Sequence, residues 1–263
     1  MDIRLKNRVV WVTGGGEGIG RAIALLAAER GAQVAVTGRD ASPLMEVVEQ
    51  ITKEDGEAIA VPADVSSAQE MEQAVNTILD VWGRLDMLVA NAGVNGTWAP
   101  IDELPPEEWS ETLNINLTGT YLAVHFAVPA MKKAGGGSIV LMSSVNGTRV
   151  FSNEGASAYA TSKAGQLALG QMLALELAPS RIRVNIICPG AFDTGIHEKT
   201  EKEGLESIET PVEFPEGKIP LTRGKMGDPE DVAKLTVFLL SDAARHITGT
   251  PVWIDGGESL LQC

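Results

Sequence analysis

The sequence predicts an α/β fold in which a doubly wound parallel sheet carries helices on both faces. Short apolar runs rich in strand-forming residues alternate with longer segments whose apolar residues recur at helical spacing. The short runs are apolar at consecutive positions, which is typical of strands buried on both faces. Repeated strand–helix alternation places helices on both sides of such a sheet. Because no repeat, low-complexity tract or linker interrupts the pattern, we expect one domain over residues 1–263.

Seven apolar runs are the candidate strands, at 8–13, 33–38, 58–64, 85–93, 138–144, 182–190 and 251–257. The segments between them have helical spacing. Pro129 falls late in the longest of these segments, where we expect it to kink or end the helix. Residues 194–227 are charged, rich in proline and without a strong period. Since they follow a strand end, where such sheets bind ligands, we interpret them as a partly helical lid rather than a plain surface insertion.

Composition narrows the class of partner. The chain has 21 Lys and Arg against 35 Asp and Glu, a formal charge of −14. Nucleic acids and anionic membranes are bound by basic faces, so we expect neither as the main partner. The two cysteines are far apart in sequence, which favours a reducing compartment. No cleavable signal or membrane-spanning run is evident, so the cytoplasm is the expected location. The scattered histidines predict no metal site.

The stretch "TGGGEGIG", residues 13–20, joins the first predicted strand to the first predicted helix. Gly14, Gly18 and Gly20 follow the spacing G-x-x-x-G-x-G. Glycine permits a tight turn and lets backbone N–H groups approach a pyrophosphate at the start of a helix. In this position the loop predicts a dinucleotide site, whereas an ordinary strand–helix turn would not need so many glycines.

Tyr159 and Lys163 in "SAYATSK" lie four residues apart and therefore share one helix face. Carbonyl reduction needs a proton donor whose pKa is near the working pH, and free tyrosine, with a pKa of about 10, is too weak an acid. A nearby ammonium favours phenolate and lowers this pKa. A packed tyrosine beside an exposed lysine is the alternative for an isolated pair. The glycine loop favours an acid/base role for Tyr159 with Lys163 as the modifier of its pKa.

Several motifs occur in order: "TGGGEGIG" at 13–20, "ADV" at 63–65, "NAG" at 91–93, "NINLTGTY" at 114–121, "SS" at 143–144, "YATSK" at 159–163, "PGAFDT" at 189–194 and "IDGG" at 254–257. Together they resemble the short-chain dehydrogenase/reductase family over essentially the whole chain. The resemblance implies a Rossmann-like sheet of about seven strands, a nicotinamide dinucleotide cofactor, and a homotetramer or homodimer. It also implies the interconversion of a secondary alcohol and a ketone, both small molecules.

The resemblance assigns a catalytic set to Asn116, Ser144, Tyr159 and Lys163. Ser144 would hold the substrate oxygen, and Lys163 would also bond the nicotinamide ribose. Asn116 would interrupt the long helix and hold a water that links Lys163 to solvent. Ser143 and Asn114 are the alternatives at two of these positions, but the flanking spacing favours Ser144 and Asn116. Ser144 and Tyr159 are further apart than is usual in the family, which indicates a two-residue insertion within 149–158.

The same resemblance places cofactor contacts along the chain. Asp64 would accept from the adenine amine, with the alternative that it caps the following helix. Asn91 would lie beside the cofactor or mainly hold backbone together. Phe192 and Thr194 would bind the carboxamide. The predicted cofactor-binding residues are Gly14, Gly16, Glu17, Gly18, Ile19, Gly20, Arg39, Asp64, Val65, Asn91, Ala92, Gly93, Tyr159, Lys163, Pro189, Gly190, Phe192 and Thr194.

The choice between NADP and NAD is expected just after the second strand. Enzymes that use NAD usually place a carboxylate there, and this chain has Gly38. Arg39 follows and could bond the 2′-phosphate, whereas Glu17 and Asp40 argue against that reading. NADP(H) is therefore favoured, and NAD(H) stays possible. The leading hypothesis is a carbonyl reductase or 3-oxoacyl reductase-like enzyme. The alternatives are an NAD-linked sugar or polyol dehydrogenase and a non-catalytic dinucleotide-sensing protein.

Overall fold

The computed structural model describes residues 3–195, 200–208 and 219–261 and confirms the doubly wound parallel sheet. Each of the seven predicted runs overlaps one of its strands. The strands and α-helices in chain order are β1 Val9–Thr13, α1 Gly18–Glu29, β2 Gln33–Thr37, α2 Ala41–Lys53, β3 Glu57–Ala60, α3 Ala68–Trp82, β4 Met87–Ala90, β5 Thr97–Trp98, α4 Pro106–Leu113, α5 Gly119–Lys133, β6 Gly137–Met142, α6 Ser157–Leu177, β7 Ile182–Pro189, β8 Glu201–Lys202, α7 Pro229–Leu240 and β9 Pro251–Ile254.

The central sheet has the strand order β3-β2-β1-β4-β6-β7-β9, and every neighbouring pair is parallel. The chain moves outward from β1 through β2 to β3, then returns to place β4 on the other side of β1. The chain therefore leaves β1 toward one edge of the sheet and leaves β4 toward the other edge. This leaves a crevice at their carboxyl ends, which is the position where open α/β sheets bind ligands.

The two faces of the sheet bury separate cores. Side chains of α1, α2 and α7 pack with one set of strand residues, including Val12 and Val36. Side chains of α3, α5 and α6 pack with the opposite set, including Trp11 and Leu88. Adjacent residues of one strand, such as Trp11 and Val12, thus serve different cores because strand side chains alternate between faces. Burial on both faces explains why the strands read as continuous apolar runs.

The long helical segment between β4 and β6 is interrupted earlier than its proline suggests. α4 ends at Leu113, one turn of π-helix covers Asn114–Thr118, and α5 then continues to Lys133. Pro129 lies inside α5 and does not end it, so that part of the expectation is wrong. A proline removes one backbone donor, and the buried neighbours Ala127, Ala130 and Met131 keep the helix against the sheet.

Part of the predicted lid lies against the loop that follows β4. β8 pairs in parallel with β5 to form a separate two-stranded sheet. Asn95 Nδ2 also donates to Thr200 Oγ1 at 2.6 Å. Residues 196–199 and 209–218 of the predicted lid lie outside the described residues. Among the residues described, no helix combines the length and the apolar character that a membrane crossing requires.

Candidate active site

One cavity of about 570 Å³ lies at the carboxyl ends of the central strands. Its volume is within the range of small-molecule sites. The predicted site residues that line it are Gly14, Gly16, Glu17, Gly18, Ile19, Arg39, Asp64, Val65, Asn91, Ala92, Gly93, Ser144, Tyr159, Lys163, Pro189, Gly190, Phe192 and Thr194. A larger open cleft of about 810 Å³ borders α1, α2 and the start of α7, but none of the four predicted catalytic residues lines it.

The glycine loop makes its turn by bringing backbone groups close together. Gly14 has a φ of +63°, and a Cβ there would lie 2.9 Å from both Ala92 Cα and Asn91 Nδ2. Gly20 does not line the cavity. A Cβ on it would overlap the carbonyl oxygen of Gly14, so the turn needs glycine at this position. α1 begins at Gly18, and the side chain of Glu17 forms no capping bond. Gly18 and Ile19 of the first turn line the cavity, so the N–H groups at this helix start can serve as donors for an anion.

Asn91 joins the end of β4 to this loop. Its Nδ2 donates to the carbonyl oxygens of Thr13 at 3.1 Å and Gly14 at 3.2 Å. The hydroxyl of Thr13 in turn accepts from the backbone N–H groups of Asn91 and Ala92, each at 3.1 Å. Asn91 thus holds backbone together, and it also lines the cavity, so its contact with a cofactor stays a prediction. Thr13 is a supporting residue that no motif signalled.

Asp64 does not cap the following helix, so that alternative is wrong. α3 begins at Ala68, and its capping side chain is Ser67, which accepts from the Glu70 N–H. Asp64 instead accepts from the N–H and hydroxyl of Ser66 at 2.8 and 2.7 Å. Burial acts to raise the pKa of Asp64, but the two bonds from Ser66 and the charge of Arg39 hold it below its ordinary value. Arg39 and Asp64 therefore interact across the ends of β2 and β3.

The predicted catalytic side chains meet at the floor of the cavity. Ser144, Tyr159 and Lys163 are 6%, 9% and 4% exposed, and the Ser144 hydroxyl acts to lower the pKa of the Tyr159 phenol. The same hydroxyl accepts from the Asn146 N–H at 3.1 Å. Lys163 Nζ donates to the carbonyl oxygen of Met142 at 2.9 Å and lies 5.6 Å from the centroid of the Tyr159 ring. The hydroxyl of Ser143 donates to the carbonyl of Lys163 at 2.7 Å, away from the phenol. This geometry agrees with a supporting role for Ser143.

Burial dominates the electrostatics of this group. It raises the pKa of Tyr159 above the ordinary value of 10.0, and the bond from Ser144 offsets only part of the rise. Burial also lowers the pKa of Lys163 from 10.5 to about 8, against a smaller opposing effect of Cys188. We expected the ammonium of Lys163 to lower the pKa of Tyr159. In the protein alone the pKa of the phenol is raised, because both groups are desolvated and the ammonium is directed at a carbonyl oxygen.

Asn116 lies in the π-helical turn, fully buried behind the cavity. Its Oδ1 accepts from the Val94 N–H at 2.8 Å, and its Nδ2 donates to the Val94 carbonyl at 2.9 Å and to Ser162 Oγ at 3.0 Å. Its own carbonyl accepts from Thr120 Oγ1 and Gln166 Nε2. The interruption of the helix is present as the resemblance implied. Asn116 binds protein groups through its whole amide, and the water-holding role stays a prediction.

The comparisons with known proteins agree with this arrangement. The family model described as enoyl-(acyl carrier protein) reductase matches residues 14–259. A solved 3-ketoacyl-ACP reductase from Sinorhizobium meliloti is 49% identical, with a TM-score of 0.91 over 96% of this chain and 99% of that one. The 3-oxoacyl-(acyl-carrier-protein) reductase of Thermotoga maritima is 34% identical over 97% of this chain and 99% of its own length. A cyclohexanol dehydrogenase from Acinetobacter is 33% identical over 97% and 96%.

The chain belongs to the short-chain dehydrogenase/reductase family. It is accordingly an NAD(P)-dependent oxidoreductase that acts on a CH–OH group. The cavity fits such a cofactor on its own geometry. A Cβ on Gly93 would lie 3.1 Å from Asn116 Oδ1 and 3.4 Å from Lys163 Nζ, so the missing side chain leaves backbone open beside the lysine. Gly38 leaves similar space at the end of β2, where a Cβ would meet only Leu44 at 3.5 Å.

Sequence reasoning missed a carboxylate on the cavity wall. Glu258 lines the cavity, and its Oε2 accepts from the Ala191 N–H at 3.1 Å. A Cβ on Gly190 would lie 2.7 Å from the same oxygen. Glu258 therefore holds the loop that follows β7. It is 67 residues from Ala191 in sequence, and no pattern within one sequence signals such a contact.

We predict that Gly14→Ala weakens the binding of NADPH and NADH at least about tenfold, equivalent to 1.4 kcal/mol. The added Cβ meets backbone and must displace the end of β4. Gly83→Ala is the matched control because Gly83 has a similar φ of +71° but open space around it, so it shares the backbone strain alone. Fluorescence titration of each nucleotide measures the effect. Equal affinities in the two variants would contradict the fit.

We predict that Lys163→Met stabilises the fold at neutral pH by about 1–3 kcal/mol, because a pKa lowered to about 8 reflects the cost of burying an ammonium. The folded protein then binds fewer protons than the unfolded chain between pH 8 and 10.5, so the wild type gains stability as the pH rises through that window. The advantage of the variant should therefore shrink above pH 8. Urea unfolding at several pH values measures it.

The control for this prediction is Lys133→Met, which changes an exposed lysine near the end of α5. Its effect on the free energy of unfolding should be small and independent of pH over the same window. A stability difference between wild type and Lys163→Met that stays constant from pH 7 to pH 10 would show that the lysine is not held with a lowered pKa.

Proposed function

We propose that the protein is an NADP(H)-dependent reductase that interconverts a ketone and a secondary alcohol. The observation that carries the proposal is the burial of Ser144, Tyr159 and Lys163 together at the floor of the cavity, beside the glycine loop. Bound nicotinamide supplies or accepts the hydride. The glycine loop and the first turn of α1 would hold its pyrophosphate, and Lys163 would bond the nicotinamide ribose. Phe192 and Thr194 would hold the carboxamide.

Ser144 and Tyr159 would act on the substrate oxygen. A ketone gains negative charge on its oxygen as it is reduced, and two hydroxyl groups aimed at one point stabilise that charge. Burial raises the pKa of the Tyr159 phenol, which keeps it protonated at neutral pH and able to donate its proton to the forming alkoxide, although it is a weaker acid than free tyrosine. Ser144 would donate its hydrogen to the same oxygen. Alcohol oxidation would need the phenolate instead, so we expect oxidation to require a higher pH than reduction.

The preference for NADP(H) rests on the end of β2. Gly38 brings no carboxylate to this wall, and Arg39 supplies a guanidinium that already interacts with Asp64. A 2′-phosphate placed there would receive charge-assisted bonds from the guanidinium. Glu17 also lines this part of the cavity and would oppose a phosphate. NAD(H) is the alternative, as in an NAD-linked sugar or polyol dehydrogenase.

The cavity wall supports a substrate with both apolar and polar parts. Its lining includes the apolar side chains of Trp98, Val150 and Phe192 as well as the amides of Asn146 and Asn153. Relatives are named for 3-oxoacyl-(acyl-carrier-protein) and for cyclohexanol. We propose a carbonyl reductase or 3-oxoacyl reductase-like activity, with residues 194–227 as the substrate lid. β8 of this segment lies against Trp98 in the two-stranded sheet, which supports the lid.

We also propose that the protein forms a homotetramer or homodimer and that it is located in the cytoplasm. Met172 and Leu175 on α6 are 72% and 81% exposed, and a surface with large exposed apolar side chains favours association. Light scattering of the purified protein would give the number of subunits. The cytoplasm is supported by the buried Cys188, which is a free thiol.

We predict that Tyr159→Phe lowers kcat for ketone reduction by about 10³-fold, because it removes the proton donor and keeps the ring. NADPH binding should change little. Tyr121→Phe is the matched control, since Tyr121 is the only other tyrosine and is half exposed on α5. Steady-state assays with a panel of ketones and 3-oxoacyl thioesters measure kcat. Turnover by Tyr159→Phe at the wild-type rate would eliminate the proposal, and nucleotide binding without any turnover would favour the non-catalytic sensor.

We predict that Arg39→Ala weakens NADPH binding by about ten- to a hundredfold, the usual value of a charge-assisted hydrogen bond, and leaves NADH binding within about twofold. Arg30→Ala removes the same charge from an exposed position beside Glu29 and should change neither affinity. Titration of both nucleotides into each variant tests the preference. Tighter binding of NADH than NADPH to the wild type would assign the enzyme to the NAD-linked alternative.

A further inference from the structure

The backbone at Ser144 lies at the point where the sheet ladder ends. β6 ends at Met142, although the N–H of Ser143 still bonds Ile187 and the N–H of Val145 bonds Pro189. The carbonyl oxygen of Ser144 instead accepts from the hydroxyl of Thr148 at 2.5 Å. A side chain four residues along therefore anchors the carbonyl of Ser144, whose hydroxyl lines the same cavity as Tyr159.

The Thr148 hydroxyl receives its orientation from the last strand of the sheet. The indole Nε1 of Trp253 donates to Thr148 Oγ1 at 3.1 Å. An indole N–H can only donate, so the hydroxyl must accept from it. The single hydrogen of that hydroxyl is then left for the loop carbonyls, Ser144 at 2.5 Å and Val145 at 3.1 Å. Trp253 thus fixes the direction in which Thr148 donates.

Trp253 is itself held on two sides. It lies on β9 opposite Cys188 of β7 in the parallel ladder. The guanidinium carbon of Arg149 lies 3.7 Å from the centroid of the indole ring, a cation–π contact. Because Arg149 follows Thr148 in the chain, the loop after Ser144 contacts both the edge and the face of one indole. Through Trp253, the sheet therefore holds that loop in a fixed position.

We propose that Trp253 is a positioning residue for catalysis: acting through Thr148, it fixes the backbone of Ser144 and so places the Ser144 hydroxyl beside Tyr159. The inference rests on the role of Ser144 in the proposed function. It adds one requirement to the proposed function: β9 must keep its register in the sheet for the Ser144 hydroxyl to be aligned with Tyr159. The Ser144 hydroxyl also accepts from the Asn146 N–H at 3.1 Å, so the loop that Thr148 anchors holds both the carbonyl and the hydroxyl of Ser144.

Trp253→Phe tests this directly, because it keeps an aromatic ring for Arg149 and removes the N–H. We expect kcat to fall about tenfold, since small displacements of aligned groups are costly, while KM and NADPH affinity stay within about twofold. Trp82→Phe, at the partly buried last residue of α3, is the control and should keep the wild-type kcat. Equal kcat in the two variants, at similar unfolding midpoints, would overturn the proposal.

A series at Thr148 separates positioning from general loss of stability. Thr148→Val removes the hydroxyl at nearly constant shape and should lose kcat as Trp253→Phe does. Thr148→Ser keeps a hydroxyl and should restore most of that loss. Because the two groups act through one bond, the double variant Thr148→Val/Trp253→Phe should lose no more than either single variant. If the fold-losses of kcat in the two single variants multiply in the double variant, Trp253 does not act through Thr148.

The results of two further measurements should change only if Ser144 is repositioned or if the loop that follows it is loosened. The bond from Ser144 lowers the pKa of Tyr159, so loosening it in Trp253→Phe should shift the basic limb of kcat for reduction to higher pH. Hydrogen–deuterium exchange should rise in the peptide that contains residues 144–150. The exchange measurement needs no substrate, so it tests whether Trp253 holds the Ser144 loop even if the wild type reduces no ketone and the proposed function fails. Unchanged exchange would overturn it.

Discussion

The buried amide of Asn116 is the constraint on which the site depends. Its two ends bond the N–H and the carbonyl of Val94, just beyond β4, and also the hydroxyl of Ser162 on α6. Ser162 lies between Tyr159 and Lys163 and donates to the Tyr159 carbonyl. One side chain therefore ties the strand end, the π-helical turn and the first turn of α6 together. An amide in this setting has no water to replace a lost partner, so its bonds hold the three segments rigidly.

The chemistry follows from burial more than from the pairing of charges. Desolvation raises the pKa of Tyr159 and lowers the pKa of Lys163 to about 8, so both groups are moved toward their neutral forms. A protonated phenol next to the Ser144 hydroxyl presents two donors in a water-poor cavity, where they act on a developing charge more strongly than in solvent. The fold bears the cost of this arrangement at Lys163. The sheet, buried on both faces, supplies the stability that offsets it.

The sheet and the grouping of Ser144, Tyr159 and Lys163 in one cavity could be predicted because their signals are local. Apolar runs such as 138–144 follow from burial on both faces, and the spacing of Tyr159 and Lys163 follows from one helical turn. The bonds that support these residues could not be predicted. Thr148 and Trp253 are 105 residues apart, and Thr13 and Asn91 are 78 apart. The sequence offers Asp64 as a helix cap, although Ser67 has that role, because both residue types cap helices and the exact start of a helix is not encoded locally.

The proposed reacting residues and the cavity walls come from different parts of the chain. The strand end and one helix carry Ser144, Tyr159 and Lys163, and the bonds of Asn116 hold the helix that carries the last two. The walls around them come from loops: Trp98 from the two-stranded sheet, Asn153 from the longer segment before α6, and Glu258 from the C-terminal part. Loops can change without disturbing the strands that they join. This separation explains how relatives with the same fold carry names as different as 3-oxoacyl-(acyl-carrier-protein) reductase and cyclohexanol dehydrogenase. The loop after Ser144 is the exception, because the sheet holds it at both ends, through β6 and through Trp253.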